Sequence, residues 1–442
     1  MAPTLHQLGV CALEAGRLEE AEELLRRCLA IRESKLGPED VAVANTLHEL
    51  GFCARKAGQL EEAEELLRRC LAIRESKLGP EGVSVALTLH QLGVCALEAG
   101  RLEEPEELLR RCLAIQESKL SPEDVAVALT LYELGVCALE ARRLEEAEEL
   151  LRRCLAIRES KLGPEDVAVA HTLYELGFCA LEAGQLEEAE ELLRRCLAIR
   201  ESNLGSEDVA VALTLFWLGF CVQEAGRLEE AEELWRRCLA IRESKLGPED
   251  VLVARTLHQL GFCAREARRL EEAEELFRRC LAIEESKLGP EDVLVARTLH
   301  ELGFCAREAR RLEEAEELSR RCLAIEESKL GPEDVLVART LHELGFCARE
   351  ARRLEGAEEL FRRCLAIEES KLGPENVLVA RTLRRLGSCA REAGRLEEAE
   401  ELLRRCLAIR EAKLSPEDMA VARTLDELGS CAREAGRLEE AE

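Results

Sequence analysis

The stretch PEDVLVARTLHELGFCAREARRLEGAEELFRRCLAIEESKLG, residues 332–373, decides the fold because it recurs along the whole chain. The preceding stretch, residues 290–331, differs from it only by Glu314 in place of Gly356 and Ser319 in place of Phe361. Nine complete copies of 42 residues cover 38–415, and partial copies cover 1–37 and 416–442. Such a period indicates that each copy buries its apolar side against its neighbours. We therefore expect residues 1–442 to form a single repeat domain.

Each copy has the pattern of two α-helices. In residues 332–373, apolar residues recur at helical spacing from Val337 to Ala348 and again over 354–372. The first helix is predicted to begin near Pro332 and to end near Ala351, and Gly373 is predicted to stop the second. Because one helix pair cannot bury its apolar stripe alone, the copies are expected to stack into an all-α solenoid of antiparallel helix pairs.

The turn between the two helices carries glycine in most copies, which suits a left-handed backbone. In four copies the same place is taken by arginine: Arg142, Arg268, Arg310 and Arg352. A left-handed arginine costs roughly 1 kcal/mol more than glycine, so these turns are predicted to be less stable.

Composition argues against several classes of protein. Lys plus Arg total 62 and Asp plus Glu total 90, and the resulting formal charge of −28 opposes binding to nucleic acid. The longest uncharged run, residues 209–223, is too short to span a bilayer. The first residues lack the basic and apolar regions of a secretory leader. We therefore expect neither a nucleic-acid partner nor a membrane partner.

The 21 cysteines fall in two series with a spacing of 42 residues, one beginning at Cys11 and the other at Cys28. Each occupies a place where a small apolar helix residue fits, and the chain contains no CxxC. Buried, reduced thiols are the favoured interpretation, and disulfides or a metal site are the alternatives. Free thiols imply a reducing compartment, so we expect the chain to be cytoplasmic.

The repeat resembles the tetratricopeptide repeat. Leu341, Leu344-Gly345 and Ala357 match that family's leucine, leucine–glycine and small-residue positions. The period of 42 residues and the phrases VAxTLxxLG and RRCLAIRESKLG are most similar to the repeats of kinesin light chains. The resemblance implies a right-handed superhelix in which the first helix of each pair lines a concave, peptide-binding groove. Other polar or aromatic pairs replace the asparagines that kinesin light chains use on cargo, so the same cargo is not implied.

By this resemblance, one face of the first helices points into the groove, and its character changes along the chain. Near the N-terminus the face is apolar and aromatic, whereas in three successive later copies it carries arginine, histidine and phenylalanine. These predicted peptide-binding residues are Arg255, His258, Phe262, Arg265, Arg297, His300, Phe304, Arg307, Arg339, His342, Phe346 and Arg349. Arginine binds carboxylates through forked hydrogen bonds, so this part of the groove is expected to suit acidic segments of protein or peptide partners.

An alternative interpretation is that the chain neutralises these arginines itself. Arg297 is one helical turn from Glu301, and Arg339 is one turn from Glu343, so two ion pairs within single helices are expected. Glutamate also replaces a more usual arginine at Glu284, Glu326 and Glu368, just ahead of further groove arginines. Both interpretations remain open at the level of sequence.

Six of the seven histidines occupy one column of the repeat: His6, His48, His90, His258, His300 and His342. Histidines brought together by stacking can bind a metal or respond to pH. The simpler interpretation is a column that was copied with its repeat, and we assign no metal ligand to it.

No residue is singular enough to suggest an active site, because neighbouring copies are nearly identical. We expect a non-enzymatic interaction scaffold with no catalytic residue and no cofactor. The alternatives are a sensing or autoinhibitory repeat region of a larger multidomain signalling ATPase, and a consensus-like array without a ligand. The chain starts inside a first helix and stops at LEEAE, residues 438–442, so exposed apolar ends are expected to cause weak end-to-end self-association.

Overall fold

The computed structural model describes residues 1–101, 103–415 and 417–437, which contain 21 α-helices and no β-strand. The helices are α1 (Ala2–Glu14), α2 (Leu18–Leu36), α3 (Val41–Lys56), α4 (Leu60–Leu78), α5 (Val83–Glu98), α6 (Glu103–Lys119), α7 (Val125–Glu140), α8 (Leu144–Leu162), α9 (Val167–Glu182), α10 (Leu186–Leu204), α11 (Val209–Glu224), α12 (Leu228–Leu246), α13 (Val251–Glu266), α14 (Leu270–Lys287), α15 (Val293–Glu308), α16 (Leu312–Lys329), α17 (Val335–Glu350), α18 (Leu354–Leu372), α19 (Val377–Glu392), α20 (Leu396–Lys413) and α21 (Met419–Glu434).

The chain divides into two compact units, Met1–Arg227 and Leu228–Glu442. Within each unit every helix packs against the next one along the chain, so the predicted all-α solenoid of stacked helix pairs is confirmed. The final partial copy contributes α21. The second helix expected after it falls on residues 438–442, outside the described residues.

Helix starts differ from the prediction in the first helix of each pair. α17 begins at Val335 rather than near Pro332, because the Asp334 side chain accepts a hydrogen bond of 2.8 Å from the backbone N–H of Leu336 and caps the helix. The second helix, α18, spans the predicted residues 354–372, and Gly373 follows it with a φ of 87°.

The four arginines predicted in left-handed turns adopt that conformation. Their φ angles are 58° at Arg142, 61° at Arg268, 60° at Arg310 and 58° at Arg352. Glycines occupy the equivalent turns elsewhere, for example Gly184 with a φ of 74°. The strain that the sequence implies at these four turns is therefore present in the backbone.

Two buried clusters recur along each unit, one inside a repeat and one between repeats. Inside a repeat, Val337 and Leu341 of α17 pack against Cys364 and Ile367 of α18. Between repeats, Phe361 of α18 packs against α17 and against Leu386 and Cys389 of α19. The apolar face of each helix pair is thus completed by its neighbour.

A helical glycine allows the two helices of a pair to approach closely. A Cβ added to Gly345 of α17 would lie 2.8 Å from the ring of Phe361 in α18. Such a distance leaves no space for any side chain at that position.

Cysteines are buried, as predicted. All 21 are free thiols in the described residues, and only Cys11 among them is exposed. Several donate to a backbone carbonyl of the neighbouring helix, as Cys280 does to Ala254 over 3.2 Å. They behave as small core residues, and burial raises the pKa of thiols such as Cys112 to about 11.

We call the layer formed by the odd-numbered helices of each unit its inner side, because these helices approach one another more closely than the even-numbered helices do. First helices of neighbouring repeats contact one another, as α13 does with α15 and α15 with α17. Pairs of even-numbered helices show no contact of similar extent in the described part of the chain.

Among the residues with described positions, no helix is both long and apolar enough to cross a membrane.

Ser319 is expected to weaken the packing between two repeats, because it occupies a buried position that is phenylalanine in the repeats before and after it. Phe277 and Phe361 each complete a cluster that includes a leucine of the next repeat. The cluster near Ser319 contains only Ala306, Ala315 and Cys347 among its buried members.

We predict that Ser319→Phe raises the free energy of unfolding by about 2 kcal/mol, because the ring replaces missing apolar contacts. The matched variant Phe361→Ser should lower it by about 3 kcal/mol. Denaturant titration followed by circular dichroism measures both. A loss of stability in Ser319→Phe would mean that the helices have closed around the serine and leave no room for a ring.

Candidate functional site

The twelve predicted groove residues lie on α13, α15 and α17 of the second unit, all of them inner helices. They form four columns that repeat from helix to helix. The two arginine columns and the phenylalanine column are partly exposed, whereas the histidine column is buried. The structure therefore groups these side chains on one side of the second unit.

Phenylalanine and arginine alternate along this face and form a ladder, hereafter the Phe–Arg ladder. The guanidinium group of Arg265 lies 4.6 Å from the ring centroid of Phe262 and 4.9 Å from that of Phe304. Arg307 lies 4.7 Å from the centroids of both Phe304 and Phe346. Each of these guanidinium groups is stacked between rings of two successive repeats, a favourable cation–π arrangement.

Ion pairs further fix the column of arginines to which Arg265, Arg307 and Arg349 belong. Arg265 pairs with Glu301, Arg307 Nε lies 3.0 Å from Glu343, and Arg349 lies 2.5 Å from Glu392. The side chains of Arg265 and Arg307 are only 14 and 15 % exposed. Removing either cation would leave a partly buried carboxylate without its partner.

The ion pairs predicted within single helices are not the ones that form. Glu301 and Glu343 pair with arginines of the preceding repeat instead of with Arg297 and Arg339 one turn away. Neither Arg297 nor Arg339 has a carboxylate within 4.0 Å among the described residues, and the Nε of each is buried without a hydrogen-bond partner. The prediction was wrong because it considered only neighbours on the same helix.

Buried glutamates lie behind the inner face. In other repeats an arginine occupies this position, and Arg242 donates 2.8 Å hydrogen bonds to the Leu252 carbonyl and to Thr256. In its place Glu284 accepts a hydrogen bond of 2.7 Å from Thr298. Burial raises the pKa of the Glu284 carboxyl, although this hydrogen bond and the charge of Arg297 act in the opposite direction.

Charge matching between these glutamates and the groove arginines is partial. The closest described approach is 3.8 Å between Arg381 and Glu368. The pKa of Glu368 is raised by burial in spite of that arginine. Because 3.8 Å is longer than the 3.0 Å ion pair of Arg307, this glutamate balances the charge of its groove-side arginine only in part.

The histidine column is neutral at physiological pH. Burial, followed by the charge of Arg339, lowers the pKa of His300 to about 4, and burial likewise lowers that of His258 to about 3. His258 packs edge to face on Phe277, with ring centroids 5.4 Å apart. Within the described residues, no group of three or more His, Cys, Asp or Glu side chains is placed to bind a metal ion. These histidines therefore act as core residues beneath the inner face.

Arg385 was missed by the sequence reasoning, which followed four columns and not the one beside the histidines. That column carries Gln259, Glu301 and Glu343 in the earlier helices, and Arg385 replaces the acid. Its guanidinium group lies 4.9 Å from the ring centroid of Phe346 and so extends the Phe–Arg ladder. Burial, with the charges of Arg384 and Arg349, lowers the pKa of Arg385 to about 10.

The first unit presents aromatic side chains on the corresponding helices, as the sequence suggested. Arg158 lies 4.7 Å from the ring centroid of Tyr132. Trp217 packs edge to face on Phe178 at 5.1 Å and on Phe220 at 6.2 Å. This face lacks the long series of ladder arginines found in the second unit.

Comparison with known proteins identifies related repeats. A family profile described as tetratricopeptide repeat matches residues 1–76, 42–118, 126–202, 208–286, 294–370 and 378–442. A search among curated proteins finds no match.

Solved structures give three further comparisons. A Podosopora anserina structure, described as a kinesin light chain with nearly identical TPR-like repeats, is 30% identical over 46% of this chain and 95% of its own, with a TM-score of 0.40. BtubC (BKLC) from P. vanneervenii is 22% identical over 52% of this chain and 91% of its own, with a TM-score of 0.44. The apo form of RapI is 17% identical over 64% and 97%, with a TM-score of 0.50.

The buried histidines predict a loss of stability in mild acid. The pKa of His300 is lowered from 6.5 to about 4 in the folded chain, so between these values the unfolded chain binds a proton that the folded chain does not. This histidine therefore does not lower the free energy of unfolding well above pH 6.5. On acidification below that value it lowers the free energy of unfolding by at most about 1.4 kcal/mol per pH unit.

We expect His300→Gln to reduce this slope, measured as the free energy of unfolding at pH 7.5, 6.0 and 4.5. The wild-type chain and the variant differ only in this histidine, so titrating acids cancel in the comparison. Identical pH dependence in the two proteins would show that folding does not shift the pKa of His300, and would contradict its burial in neutral form.

Proposed function

The chain belongs to the tetratricopeptide repeat family, and we propose that it is a non-enzymatic protein-interaction scaffold whose inner face binds peptide segments of partner proteins. Family membership supports the general role, since tetratricopeptide arrays are typically non-catalytic and bind proteins. Its free, buried thiols are consistent with work in a reducing compartment such as the cytoplasm.

Acidic segments are the ligands that the second unit suits best. The single observation that carries this proposal is the pair Arg297 and Arg339, which have no described carboxylate within 4.0 Å on a face where Arg265 and Arg307 are already paired. A partly buried cation without a partner gains more from an incoming carboxylate than one that must first release its own.

The Phe–Arg ladder contributes shape more than charge to the proposed site. Because Arg265 and Arg307 are both stacked and ion-paired, the ladder offers a rigid surface with partly exposed rings of Phe262, Phe304 and Phe346. A rigid surface lowers the entropy cost of binding. A peptide that crosses α13, α15 and α17 would contact the same groups several times and gain from avidity.

Fluorescence anisotropy with a labelled 12-residue peptide rich in Glu and Leu tests this proposal. We predict tighter binding than for the same peptide with Gln in place of Glu, and weaker binding as the NaCl concentration rises. The double variant Arg297→Gln/Arg339→Gln should weaken binding by about tenfold, equivalent to about 1.4 kcal/mol.

The matched control is Arg278→Gln/Arg321→Gln, which removes two arginines from the outer helices α14 and α16 and leaves the net charge equal to that of the first variant. Its affinity for the acidic peptide should remain near the wild-type value. Equal losses in both double variants would indicate attraction by overall charge and would contradict an inner binding face.

A further inference from the structure

On the outer helices, one glutamate of the first helical turn bridges two arginines in repeat after repeat. Glu314 of α16 lies 3.0 Å from Arg278 of the preceding repeat and 2.7 Å from Arg311 of its own turn. The equivalent bridging glutamates in the described residues include Glu104, Glu146, Glu272 and Glu398. A carboxylate between two guanidinium groups is thus a regular feature of the outer face.

In the repeat that contains α18, this carboxylate is missing because Gly356 occupies the position. The two arginines that would bind it, Arg320 and Arg353, are still there. Both arginines pair with the single carboxylate of Glu316. This carboxylate lies 2.5 Å from Arg320 and accepts a hydrogen bond of 3.0 Å from Arg353 Nη1. Their side chains are 66 and 49 % exposed. Two cations therefore share one anion where neighbouring repeats supply two.

Gly356 also lines a cleft of about 840 Å³. Apolar side chains of three helices line it, among them Leu323 of α16, Leu344 of α17 and Leu360 of α18. A Cβ added to Gly356 would meet no other atom within 4 Å, so the space left by the missing side chain is open. The volume lies in the range of small-molecule sites.

We propose that this cleft binds an anion with an apolar body, its carboxylate taking the place of the missing glutamate between Arg320 and Arg353. Two guanidinium groups offer donors to both oxygens of such a carboxylate, and the leucines bury the apolar part. Glu355 and Glu359 also line the cleft, and their negative charges confine a bound anion to the side where Arg320 and Arg353 lie. The site is separate from the inner face and does not depend on the function proposed for it.

The repeats provide their own controls, since residues 290–331 and 332–373 differ only at two positions. Gly356→Glu restores the usual bridging glutamate and should fill the site. Glu314→Gly should open an equivalent site between Arg278 and Arg311. Gly356→Ala keeps the cleft free of a carboxylate and controls for the change in helix propensity.

Ligand-observed NMR titration of the full chain with hexanoate is the experiment. We expect saturable binding in the wild type and in Gly356→Ala, binding at least tenfold weaker in Gly356→Glu, and twice the number of sites in Glu314→Gly. Hexanamide, which lacks the charge, and inorganic phosphate, which lacks the apolar body, should each bind at least tenfold more weakly than hexanoate.

The proposal is overturned if Gly356→Glu binds hexanoate as the wild type does, or if hexanamide or phosphate binds as well as hexanoate. Competition with an acetyl-Leu-Glu-Leu-amide peptide then identifies the source of the carboxylate. Displacement of hexanoate by the peptide supports a glutamate side chain of a partner protein, and retention of hexanoate supports a free organic acid in the same site.

Discussion

The close approach of two helices at a glycine is the constraint on which the rest of this structure depends. A Cβ added to Gly51 of α3 would lie 2.6 Å from Leu67 Cγ and 3.3 Å from the Ala63 carbonyl oxygen of α4. The same crowding recurs at Gly345 beside Phe361. Glycine costs up to about 1 kcal/mol in a helix, so its position there is explained by the packing it allows and not by helix propensity.

Because the helix pairs pack alike, each repeat presents the same surfaces to its neighbour, and charges can be shared between repeats. Arg265 and Arg307 on the inner face each reach a glutamate 36 residues further along the chain. Arg278 on the outer face reaches Glu314 with the same separation. In such a regular array, functional differences arise where one residue departs from the repeat. Arg385 adds a cation where acids are usual, and Gly356 removes an acid that two arginines require.

Much of the fold can be predicted from the sequence, because periodicity and helix-stop residues act locally. The second helix at 354–372 and the four left-handed arginine turns were predicted correctly. The start of the first helix was predicted too early, because periodicity alone does not distinguish the capping residue Asp334 from the first residues of the helix. The spacing also places the twelve candidate residues on the first helices of three repeats, α13, α15 and α17, whereas their role in binding peptides stays a prediction. Their partners were not predictable, since ion pairs between repeats depend on how the helices stack.

The most direct test of this account compares alanine substitutions at two helical glycines. Gly51→Ala should lower the free energy of unfolding by about 1–3 kcal/mol, because the methyl group would overlap Leu67 in a closely packed helix pair. Gly356→Ala, where nothing lies within 4 Å, should raise it by up to about 1 kcal/mol through helix propensity alone. If denaturant titration shows that both substitutions stabilise the chain equally, close packing at the repeated glycine does not hold this structure together.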